Sequence, residues 1–92
     1  MKDILIEGHC ILTTDAVADA VLTYAKELLD AGATDIVEFP SIHDGAPSLC
    51  RMLLGSGIPL ATLEATTALA SDVAGADLAR AEIERRTAAL VR

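Results

Sequence analysis

Ninety-two residues carrying a net charge of −7 make one small acidic domain. Hydrophobic residues are 52% of the chain, but Phe39 and Tyr24 are its only aromatics, so the core has to come from Ile, Leu and Val. Residues 1–50 set nine acids against Lys2 and Lys26, while residues 51–92 balance five acids with five arginines; an acidic half without a basic stripe argues against a nucleic-acid partner. No apolar run has the length of a membrane span, and no basic-then-apolar opening resembles a signal peptide, so a cytoplasmic protein without a membrane partner is expected. Two cysteines forty positions apart are no disulfide framework and default to small hydrophobes.

In chain order, residues 3–13 (DILIEGHCILT) read as a hairpin. Its turn is expected at Glu7-Gly8-His9-Cys10, with Gly8 supplying positive φ at the first central position of a type II′ turn. Thr14 to Ala31 is an amphipathic helix: Val17, Ala20, Val21, Tyr24, Ala25 and Leu28 share one side, and Asp15, Asp19, Thr23, Lys26 and Asp30 the other. Thr14 is placed to cap it and Gly32 to end it in the left-handed conformation.

Thr34 to Pro40 is the next strand, ending at Pro40 or lying at an edge, because proline cannot donate to a ladder. Ser41 to Gly45 turns the chain, and Ser48 to Leu54 returns antiparallel. Alternation puts Leu49, Arg51 and Leu53 on one face and Cys50, Met52 and Leu54 on the other. Arg51 must then reach solvent or pair with a carboxylate. Gly55-Ser56-Gly57 is a further turn, and Ile58 to Leu63 a short strand interrupted by Pro59. Residues 64–76 form a connector of low complexity, and a second helix from Asp77 carries a narrow stripe of Ala76, Ala79, Ile83, Thr87 and Leu90. The fold class is therefore α+β, a two-layer sandwich of order ββαβββα. Its mixed, mostly antiparallel sheet has one long helix across one face and a C-terminal helix. Residues 1–63 make the compact core, and residues 77–92 pack on that core or on a partner subunit.

Several residue sets invite chemistry, and each has a plainer reading. His9, Cys10, His43 and Cys50 are metal-ligand types, but the two histidines and the two cysteines lie far apart in sequence, unlike the close pairs of zinc sites. A thiolate beside a histidine is the second arrangement, with Cys10 or Cys50 and His9 or His43, yet neither cysteine has an activating context, and neighbours such as His9 and Cys10 on one strand point to opposite faces. Asp15 and Asp19 lie one helical turn apart, as two ligands of a cation would, although helical acid stripes are ordinarily solvated. Gly55-Ser56-Gly57 lacks the Lys-Ser/Thr of a phosphate loop. No cofactor is implied.

What remains is surface. Leu22 and Leu29 widen the first helix's apolar arc beyond the needs of one sheet face. With Ile83 and Leu90 they are the expected contacts of a homodimer or protein partner, against the equal expectation that the two helices pack together within one chain. The leading expectation is a non-enzymatic, self-associating interaction module. The alternative is a small enzyme or ligand-binding protein with a site built from His9, His43, Asp44 and Cys50.

Overall fold

The structure, a computed structural model, describes residues 1–55, 57–65 and 73–90. Most of the expected connector, residues 66–72, and Ser56 of the expected glycine turn lie outside the described residues. The elements run β1 (Lys2–Ile6), β2 (His9–Thr13), α1 (Asp15–Ala31), β3 (Thr34–His43), β4 (Ala46–Gly55), β5 (Leu60–Glu64) and α2 (Ala76–Leu90). The five strands form one sheet in the order β4-β3-β2-β1-β5, and every neighbouring pair is antiparallel. This is the α+β arrangement of order ββαβββα.

Local chemistry sets both hairpin turns. Ile6 pairs with His9, which leaves Glu7 and Gly8 as the two central residues, both with positive φ (46° and 81°). That is a type I′ turn, which demands positive φ at both positions. The expected type II′ turn is thus displaced by one residue: His9 belongs to the strand, and the strain falls on Glu7. The β3–β4 hairpin closes in the same way through Asp44 and Gly45, with φ of 51° and 77° between the paired His43 and Ala46. Both strands of this hairpin extend beyond their expected ends.

Pro40 neither ends β3 nor sits on an edge strand. Counting back along the ladder from the closing pair His43–Ala46, Pro40 falls on a position whose backbone groups turn away from β4. Its missing N–H therefore lies on the β2 side, where pairing is reduced to one register position, Leu12 with Ile42. The Thr13 hydroxyl donates to the Pro40 carbonyl at 2.9 Å, so the remaining acceptor there is satisfied.

The helix α1 has the expected ends. Thr14 Oγ1 accepts from the Val17 amide at 3.2 Å, and Gly32 adopts φ 65°, ψ 31°. The Ala33 amide reaches back to the Leu28 carbonyl at 2.9 Å and the Gly32 amide to that of Leu29 at 3.2 Å, a Schellman ending. Val17, Ala18, Ala20, Val21, Tyr24 and Leu28 are buried on its inner side. They meet Ile4, Val37, Phe39, Met52 and Leu54 from one face of the sheet, which with Ala76 and Ile83 of α2 complete the core. Helix α2 lies against α1 and β3. Both helices thus cover the same side of the sheet.

Candidate functional site

Alternation along each strand sorts the side chains. Ile4, Thr13, Val37, Phe39, Ser41, Met52 and Leu54 are buried and point at the helices. Their neighbours point the other way, towards a face that no described element covers. On that face Ile36, Leu49, Leu53 and Leu63 are each more than half exposed. The expected split of β4 holds, with Leu49, Arg51 and Leu53 outward and Cys50, Met52 and Leu54 inward. Arg51 answers its charge in both of the expected ways: it lies on an edge strand, mostly exposed, and its Nε stands 3.4 Å from Glu38 Oε1 across the ladder.

The proposed ligand residues are only partly brought together. His43 and Asp44 share the β3–β4 turn, with Nε2 3.5 Å from Oδ2, and both side chains are largely in water. His43, Cys50 and Cys10 line one shallow cavity of about 350 Å³ with Ser41 and Ser48. His9 lies apart from His43 and Cys50: it lines one cavity with Ile6, Ile11, Met52 and Ile58 and another with Cys10 and Pro59. Among the described residues, no group of three or more His, Cys, Asp or Glu side chains is placed to hold a metal ion. Both cysteines are free. Burial pushes the Cys50 thiol above its ordinary value, and burial and then Asp3 push up that of Cys10. A thiol shifted in that direction is a poorer nucleophile at neutral pH. Asp15 and Asp19 both have cationic partners: Lys2 Nζ is 2.7 Å from Asp19, and the amino terminus is 3.0 Å from Asp15.

A polar cluster centred on Asp35 has no signature in the sequence. Asp35, at the start of β3, accepts from the Tyr24 hydroxyl at 2.6 Å, from Arg86 Nη1 at 3.0 Å and from the Ile36 amide at 2.8 Å. Arg86 also donates to the Ile36 carbonyl at 3.1 Å and to Glu82 at 2.7 Å. One carboxylate therefore ties α1, β3 and α2 together. Burial first, and then the Asp35 carboxylate, push the Tyr24 phenol up to about 12. The Tyr24 hydroxyl, above all, holds Asp35 below its ordinary value. Glu82 is held down to about 2 by Arg85 and then Arg86. In the sequence Arg86 and Glu82 lie outside the apolar stripe of the second helix, and the one signal they offer is an arginine one turn beyond a glutamate, which is common on any exposed helix.

The expected dimer residues divide. Ile83 is 2% exposed inside a single chain, and Leu90 packs against the same core. Ile83 is thus taken up by the intramolecular helix contact, while Leu90 is partly buried there. Leu22 and Leu29 of α1 stay exposed.

No described helix is long and apolar enough to cross a membrane. Comparisons with protein-family models, with curated proteins and with solved structures give no match for this chain.

Proposed function

We propose that this protein is a non-enzymatic interaction module that works as a self-associating homodimer in the cytoplasm. One observation carries this reading. After both helices have docked on the sheet, seven large apolar side chains among the described residues remain exposed: Leu22, Leu29, Ile36, Leu49, Leu53, Leu63 and Leu78. Scattered singly such residues need no explanation, but four of them share one sheet face that no described element covers, and an apolar face left open in this way marks a contact site. A chain this short gains stability from covering it. The two free thiols suit a reducing compartment.

The test is absolute mass by light scattering across a hundred-fold dilution, with and without a chelator. Twice the chain mass, unchanged by chelator, supports the reading; a monomer throughout overturns it. A second reading, a small ligand site, keeps support from the shared cavity of His43, Cys10 and Cys50. It expects His43→Ala to abolish the binding of a small molecule and leave the mass unchanged.

A further inference from the structure

Resting on the self-association proposed above, we infer that two copies of this chain meet through the uncovered face of the sheet, packed face to face about a two-fold axis. The face is apolar across its width. Leu5 and Leu12 stand on the middle strands, Ile36, Leu49 and Leu53 on one flank and Leu63 on the other, all turned from the helices by the register of the ladders. Opposed sheets bury such faces by interdigitating their side chains about 10 Å apart.

Charge separates this surface from the rest of the molecule. The chain carries −7 overall, yet the outward strand positions hold only Asp3, Glu38 and Arg51 as charged residues. Two copies can therefore approach through this face without the repulsion that the acidic helix side would impose. On α1, by contrast, Leu22 and Leu29 are flanked by the ion pairs of Asp15 with the amino terminus, Asp19 with Lys2 and Asp30 with Lys26, which a contact there would have to strip of water. Two of these three charges, Glu38 and Arg51, are also self-complementary. Glu38 and Arg51 lie side by side on neighbouring strands and remain open to solvent, so a two-fold axis near them sets each Arg51 against the partner's Glu38.

The area suffices. The five strands contain thirty-five residues. At about 16 Å² of sheet per residue they span roughly 550 Å², from the strand rise and spacing. Buried whole, two such faces give at most about 1,100 Å², which reaches the roughly 1,000 Å² that a specific interface requires.

The experiment compares light-scattering mass for the full chain, Leu53→Asp and Leu29→Asp, with circular dichroism to confirm folding. Iodoacetamide labelling of Cys10 is read alongside by mass spectrometry. Cys10 pairs with Leu5 and so lies on the uncovered face, and it is exposed in the single chain; inward-facing Cys50 is the internal reference. The expected result is a dimer for the full chain and for Leu29→Asp, and a folded monomer for Leu53→Asp. Its dissociation constant rises at least about a hundred-fold, because two carboxylates face an apolar partner. Cys10 labelling should accelerate in parallel, both in Leu53→Asp and when the unaltered chain is diluted. The dilution experiment needs no variant to fold. A dimer that survives Leu53→Asp, dissociates with Leu29→Asp and labels Cys10 at a rate independent of dilution would place the contact on α1 and overturn this inference while sparing self-association. A full chain that is monomeric at every concentration would overturn both.

Discussion

Removing the Tyr24 hydroxyl isolates the bond that joins α1 to β3. Tyr24→Phe keeps the ring, which is 4% exposed, so packing is preserved and no cavity forms. What is lost is a 2.6 Å hydrogen bond to a carboxylate. Hydrogen bonds to charged groups contribute about 1.5–3 kcal/mol net. Asp35 retains Arg86 and the Ile36 amide, and its side chain is 35% exposed, so water replaces part of the lost donor. The lower end of that range, about 1.5 kcal/mol, is therefore expected. In a domain of this size it lowers the melting temperature by roughly 6–12 °C. The assay is thermal unfolding followed by circular dichroism at one fixed protein concentration, since self-association would otherwise move the midpoint. A double-mutant cycle with Asp35→Asn should return a coupling of about 1 kcal/mol, as residues in one hydrogen-bonded network do. A melting temperature within 2 °C of the parent, together with zero coupling, would refute the reasoning, because hydroxyl and carboxylate would then not be bonded in solution.

Other outcomes follow from the same geometry. Tyr24 is the single tyrosine of the chain, so phenolate absorbance reads it alone: the folded protein should titrate near 12 and the denatured chain near its ordinary value of about 10. Because the folded value is the raised one, the stability this proton confers is complete below about pH 10 and is lost as pH climbs towards 12. Asp35 has the opposite sign. Its folded value is depressed, so its contribution is complete above about pH 4, the unfolded value, and is lost on acidification, and melts between pH 5 and 2 should fall less steeply in Asp35→Asn. Thr14→Ala should cost about 1 kcal/mol in urea unfolding by freeing the Val17 amide. Gly45→Ala should cost about 1–2 kcal/mol, since a Cβ is strained at φ 77° in the hairpin turn.

Much of the fold was legible because its signals are local. The helix α1 could be read to its caps, since Thr14, Gly32 and the spacing of Val17, Val21, Tyr24 and Leu28 act within a few residues of one another. The two faces of β4 followed from period-two alternation in the same way. The turn at Glu7-Gly8 was misplaced by one residue because two adjacent registers both put Gly8 at a central position. Choosing between them depends on the pairing of Ile6 with His9, a contact that the turn alone does not fix. Pro40 reads as a strand end or an edge position because its local rule is firm, but a proline is tolerated inside a sheet where its donor-less side meets an interrupted ladder.

By itself, then, the sequence determined the class, the order of the elements, the inward side of α1 and the division of β4 into two faces. The tertiary structure decided which surfaces are used up and which are left over. Ile83 looked as free as Leu29 until α2 folded back against α1. Asp35 looked like an ordinary strand-end acid until Tyr24, eleven residues away, and Arg86, fifty-one residues away, converged on it. The uncovered sheet face exists only because both helices pack on the same side. Periodicity tells a side chain which way to face along its own element; what waits there is set by chain distant in sequence, and that is where both the core and the proposed contact surface were decided.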